Sequence, residues 1–227
     1  MNRPIAEDAE RVTTAAPPRI VLSDLGPIAQ LRAGRLTRRL VQLYAGLLLY
    51  GFSIALMVRS RLGLAPWDVL HSGLTKHFPI DIGQALVIVS FLVMLAWIQL
   101  REMPGIGTVS NAIVIGVATD GFLSVMSTPH VLGLRVTLLV AGIALQGVAT
   151  AAYIGAQLGR GPRDGLMTGL SRRTGHSIRL VRTGMELTVV AVGLLLGGVA
   201  GLGTIVYAVS IGPLSQALIP KFLVSTP

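Results

Sequence analysis

The chain has 227 residues, 52% of them hydrophobic and 13% charged, with a formal net charge of +9 and a mean hydropathy of +0.71. A soluble domain carries about 25% charged residues, so this composition excludes an ordinary soluble enzyme or binding module and points to an integral membrane protein. The absence of cysteine excludes a disulfide framework, a thiolate nucleophile and a cysteine-ligated metal.

Residues 1–37 read as a disordered cytoplasmic tail. Glu7, Asp8 and Glu10 mix with Pro17 and Pro18 without a steady period, and there is no short apolar core with a small-residue cleavage site. Arg32, Arg35, Arg38 and Arg39 then form a basic collar before the first apolar run. Apolar runs of bilayer length, about 20 residues each, follow at 40–58, 82–100, 106–126, 134–156, 178–199 and 202–222.

A polar, glycine-rich stretch separates the first two runs: Gly63-Leu64-Ala65-Pro66-Trp67-Asp68-Val69-Leu70-His71-Ser72-Gly73-Leu74. Pro66 suits the first position of a helix, where no backbone N–H is needed, and Asp68 then falls in the first turn, where a carboxylate complements the helix dipole. Helical spacing puts Asp68, Ser72 and Thr75 on one stripe and Leu70 and Leu74 on the other side. In the third run Asp120 and Asn111 are the polar residues, and Thr108, Ala112 and Gly116 make a small-residue ridge suited to close helix packing in lipid.

Beyond the fourth run, which holds Gln146, the pattern returns. Gly159-Arg160-Gly161-Pro162-Arg163-Asp164-Gly165-Leu166-Met167-Thr168-Gly169-Leu170 repeats the Gly, Pro, Asp, Leu, Gly and Leu of the first stretch at a constant offset of 96 residues. Asp164, Thr168 and Ser171 form the matching stripe. Thr204, Ala208 and Gly212 repeat the ridge, and Gly193, Gly197 and Gly201 make another in the fifth run. The chain is therefore a duplication. The fold expected is all-α and polytopic: six transmembrane helices as two three-helix repeats, residues 38–126 and 134–222, each with a short re-entrant or interfacial helix. Three spans per copy is an odd number, which requires the copies to be inverted.

Charge supports that inversion. With the N-terminus inside, the inner segments hold 15 Lys or Arg and the outer ones hold 4, namely Arg59, Arg61, Lys76 and Arg135. Arg160, Arg163 and Arg173 stand where the first copy has Leu64, Trp67 and His77. Both termini are then cytoplasmic in a bacterial inner membrane, and the net positive charge is a matter of orientation rather than of nucleic acid.

Two readings of the Pro-Asp helices stand side by side. As re-entrant half-helices they meet near the midplane with their N-termini or carboxylates on a substrate or ion path. As interfacial helices they lie on the membrane, and the Asp only stabilises a first turn. A carboxylate inside a span costs about 2.5–3.5 kcal/mol on insertion scales, which makes Glu186 a candidate coupler. Its spacing from Arg182 equally suits a helical ion pair, and Asp120, near the end of its run, can simply mark the interface. His71, His77, His130 and His176 lack metal-ligand spacing, and no nucleophile elbow or phosphate loop is present. No enzyme activity and no cofactor are expected.

Residues 62–74, Gly105-Ile106-Gly107-Thr108 and residues 159–166 together resemble the YczE branch of the YczE/YyaS/YitT bacterial integral membrane proteins, over about residues 38–222. The resemblance implies a multi-pass membrane protein of transporter-like architecture and brings no catalytic residue with it. The leading expectation is a secondary transporter or permease for a small molecule or ion, with Asp68, Ser72, Thr75, Asp164, Thr168, Ser171 and Glu186 on its path. The alternative is a non-transporting membrane partner or scaffold that assists an enzyme or export complex. The lipid bilayer is the one certain surrounding, and a six-helix bundle this narrow is compatible with a homodimer.

Overall fold

The computed structural model describes residues 26–224, and the part of the expected tail at 1–25 lies outside them. The described residues form helices and connections without strands: α1 (Pro27–Arg32), α2 (Leu36–Ser60), α3 (Pro66–Leu74), α4 (Ile82–Leu100), α5 (Ile106–Val125), α6 (Leu132–Gly155), α7 (Pro162–Thr174), α8 (Ile178–Leu195) and α9 (Leu202–Phe222). Five of them, α2, α4, α5, α6 and α9, are long and apolar enough to cross a membrane. α8 takes the place expected for the other span, but its 18 residues include Arg179, Arg182 and Glu186.

Most span boundaries shift by a few residues, and two differences from the sequence reading go further. Pro27–Arg32, read as part of the tail, form α1, which docks because Arg39 donates to the Gln30 carbonyl. α8 stops at Leu195 instead of running to 199, because Gly197 takes a left-handed φ of 77°. Gly193, Gly197 and Gly201 are therefore no continuous ridge: Gly193 packs on α3, and Gly201 is the N-cap of α9.

The contacts themselves come in pairs offset by 96 residues. Gly46 of α2 lies against Ala152 and Tyr153 of α6, while Gly142 of α6 lies against Leu56 and Met57 of α2. The start of each helix thus meets the end of the other, and the two are antiparallel. Arg39 donates to the Ala156 and Gln157 carbonyls at the end of α6; Arg135 donates to the Ser60 and Arg61 carbonyls at the end of α2. Each arginine satisfies C-terminal carbonyls that have no partner within their own helix. The loops before the short helices are clasped in the same reciprocal way. Gly107 N–H donates to the Leu158 carbonyl at 2.7 Å, and Gly203 N–H donates to the Leu62 carbonyl at 2.8 Å.

The helices fall into two groups of four. α2, α5, α6 and α9 pack together, with α5 on α2 and α9 on α6; α3, α4, α7 and α8 pack together, with α8 on α3 and α4 on α7. α4 against α5 is the main seam between the groups, and the equivalent helices α8 and α9 do not pack on each other. Gly83 and Gly116 let the α4 and α5 backbones touch, and Asp120 accepts from the Gly83 and Gln84 N–H groups at 2.7 and 3.0 Å. Asp120 thereby caps α4 from a neighbouring helix.

Candidate functional site

α3 and α7 both begin with proline, and their N-caps, Ala65 and Gly161, supply no side-chain hydrogen bond. α3 leaves the α2 end that is clasped to the start of α9, and α7 leaves the α6 end that is clasped to the start of α5. Because α2 and α6 are antiparallel, the two short helices enter from opposite ends. Their first turns meet: the Arg163 guanidinium lies 5.0 Å from the centroid of the Trp67 ring, a cation–π contact between two repeat-equivalent positions.

The two copies then diverge. In α3, Asp68 is 1% exposed and its Oδ1 is 3.0 Å from Nδ1 of the equally buried His71, one turn along the same helix. Ser72 donates to the Val69 carbonyl and accepts from the Val199 N–H, so its hydroxyl fastens the connection after α8. Thr75 is the C-cap and donates to the Ser72 carbonyl. In α7, Asp164 Oδ2 accepts a short hydrogen bond from the Tyr153 hydroxyl of α6. Thr168 accepts from Arg160 at 3.1 Å, and Ser171 donates to the His176 carbonyl at 2.7 Å.

Side-chain volume is exchanged between the copies as well. Trp97 of α4 lies over Gly165 and donates from Nε1 to the Pro162 carbonyl at 3.0 Å. Its counterpart in α8 is Gly193, which lies against Val69, the counterpart of Gly165. Large meets small on both sides, with the sizes reversed.

A cavity of about 260 Å³ lies between the two helix groups on the α8 and α9 side, with Tyr50, Tyr153, Tyr207, Arg163, Asp164 and Glu186 in its wall. Arg182 shares that wall and pairs with Glu186 at 2.8 Å, the ion pair that the helical spacing allows. A second cavity of about 50 Å³ lies on the α4 and α5 side and includes Ser90 and Asn111. A third, of about 460 Å³, lies near α1 and includes Arg101, Thr168 and Arg172. Asp164 lines all three.

Of the residues singled out in the sequence, Asp164 and Glu186 come together in the first cavity, and Asp164 and Thr168 in the third. Asp68, Ser72, Thr75 and Ser171 line none of these cavities. The sequence reading missed Arg163 and the three tyrosines. A signal for two of these was present: positions 50 and 146 are Tyr and Gln, positions 111 and 207 are Asn and Tyr, all polar inside apolar runs and all at the repeat offset. Gln146 Nε2 donates to the Tyr207 hydroxyl at 3.1 Å. Among the described residues no group of His, Cys, Asp or Glu is placed to hold a metal ion.

A family model described as a family of unknown function matches residues 37–220. An uncharacterized protein of Haemophilus influenzae is 42% identical over 166 residues, 73% of this chain and 76% of the relative. The uncharacterized membrane protein YczE of Bacillus subtilis is 33% identical over 180 residues, 78% of this chain and 84% of the relative. The uncharacterized protein YyaS of the same organism is 27% identical over 182 residues, 77% of this chain and 89% of the relative. No solved structure matches the chain.

Proposed function

This chain belongs to the family of unknown function DUF6198 and is a multi-pass membrane protein, and on that footing we propose that it is a secondary transporter or permease for a small solute. In this reading residues 38–126 and 134–222 are inverted repeats, and α3 and α7 are re-entrant half-helices that meet inside the bilayer. The end at which α2 begins also carries Arg101, Arg160, Arg172 and Arg173, so the positive-inside rule makes it cytoplasmic, with both termini there, in a bacterial inner membrane.

One observation carries this reading. The two helix groups are seamed along α4 and α5, open along the equivalent α8 and α9, and enclose a cavity with Arg163, Asp164 and Glu186 in its wall where the two half-helices meet. Exchanging the roles of the repeats closes α8 on α9 and opens α4 from α5, which is how inverted-repeat carriers alternate their access. The antiparallel contacts of α2 with α6 supply the near-equivalence that such an exchange needs.

The test is a metabolite profile of cells and medium for a strain lacking the protein. Deletion shifts one small solute between inside and outside, the intact gene restores it, and Asp164→Asn, at equal membrane abundance, does not. A deletion strain that matches the parent for every solute on both sides, under conditions where the protein is abundant, removes the reading.

A further inference from the structure

The 260 Å³ and 50 Å³ cavities share four wall residues: Tyr50, Tyr153, Arg163 and Asp164. Tyr153 belongs to one helix group and Asp164 to the other, so their hydrogen bond ties the groups together at the partition between the cavities. A second side-chain tie between the two groups, Asp120 to α4, lies in the closed seam. The tie at the partition has no twin in the other repeat. The counterpart of Tyr153 is Met57, which has no hydroxyl, and the counterpart of Asp164 is Asp68, already engaged by His71 within its own helix.

Resting on the transporter reading, we propose that the Tyr153–Asp164 hydrogen bond is the gate between the two cavities, and that solute moves from one to the other only when it breaks. Asp164 is half-buried, and a carboxylate in that setting that loses its donor is costly unless it gains another partner. Arg163 lines the same two cavities, and its guanidinium, over the Trp67 face, is within the wall to receive it. The α4 and α5 seam stays shut while this happens, because Gly83 and Gly116 are in backbone contact there. Passage is thus gated at the centre before either seam moves.

The natural chain has no cysteine, so single-cysteine variants report one site each. Ser90 lines the small cavity and is 4% exposed, whereas Gln216 lines the large one and is open to solvent. The experiment measures the rate at which a small methanethiosulfonate reagent modifies Ser90→Cys and Gln216→Cys in the purified full-length protein, with and without Tyr153→Phe. Losing a hydrogen bond to a charged group shifts the gate enough to speed modification at Ser90→Cys roughly tenfold. The Gln216→Cys rate stays as it was. Asp164→Asn, which keeps an acceptor oxygen, leaves the Ser90→Cys rate near that of the parent, and Asp164→Leu raises it as Tyr153→Phe does. An unchanged rate at Ser90→Cys, or an equal rise at both positions, overturns the gate. Labelling needs no solute, so the two proposals fail separately. A rate change at Ser90→Cys without solute movement in cells keeps the gate and removes transport; solute movement with no rate change does the reverse.

Discussion

The seam between α4 and α5 and the gap between α8 and α9 involve helices at the same 96-residue offset in the sequence, and three of the positions at which they differ stand out. Gly83 corresponds to Arg179, Asp120 to Gln216, and Trp97 to Gly193. The first copy has a glycine where the helices must touch, a carboxylate to cap the neighbour, and a large ring to fill the space at the other end. The second copy has an exposed arginine in place of that glycine and an amide that lines the cavity. Ala112, on the closed ridge, is fully buried, whereas its counterpart Ala208 is exposed. Helix pairs that share a sequence pattern can therefore form a closed interface in one place and an open one in the other, with side chains at matching positions marking the difference.

The largest effect expected from breaking this asymmetry is at Trp97, which is 3% exposed. Trp97→Ala opens the space over Gly165 and removes the side-chain donor to the Pro162 carbonyl, a loss of about 3–5 kcal/mol for the ring. Thermal unfolding in detergent reads this as a fall in Tm. Trp97→Phe keeps most of the ring and loses the hydrogen bond, so its fall is smaller by more than half. Equal falls for the two variants mean that the hydrogen bond alone matters and that the exchange of large for small is incidental.

The next effect changes sign between the copies. A Cβ on Gly116 runs into Val87 and the Gly83 backbone, whereas a Cβ on Gly212 meets only an Arg182 nitrogen at 3.9 Å. Gly116→Ala therefore destabilises by about 1–3 kcal/mol through overpacking. Gly212→Ala is neutral or stabilises by up to about 1 kcal/mol, because alanine is the better helix former. A Tm pair with the same sign at both positions shows that α8 and α9 close in solution as α4 and α5 do.

Much of this asymmetry was out of reach of the sequence, and the reason is physical. The duplication, the Pro-Asp first turns and five of the six spans follow from local pattern, because spacing, proline geometry and apolar length act within one segment. Which aspartate faces the cavity depends on a donor from another helix in one copy and on a neighbour within the same helix in the other. Tyr153 comes from α6 and His71 from a helical turn whose counterpart is Met167, and neither assignment is visible in a stripe of hydroxyls. Arg39 and Arg135 illustrate the same limit. Both read as topology charges, yet they occupy equivalent positions and cap each other's repeat, a role that exists only once α2 and α6 are antiparallel. α1 was missed because what holds it is Arg39 donating to the Gln30 carbonyl, not a period of its own.

The smallest effect belongs to the pair that the sequence did suggest. Arg182 and Glu186 are 2.8 Å apart but remain 41% and 24% exposed on the side chain, in a cavity open along the α8 and α9 gap. Solvent screening at that exposure holds an i, i+4 pair to about 0.3–0.5 kcal/mol, so Arg182→Gln barely moves Tm. If Glu186 serves only this pair, Arg182→Gln and Glu186→Gln have the same small consequence for solute distribution in cells. A Glu186→Gln strain that matches the deletion while Arg182→Gln matches the parent assigns the carboxylate to the solute path, at a position where the first repeat has Ser90 in the wall of the smaller cavity.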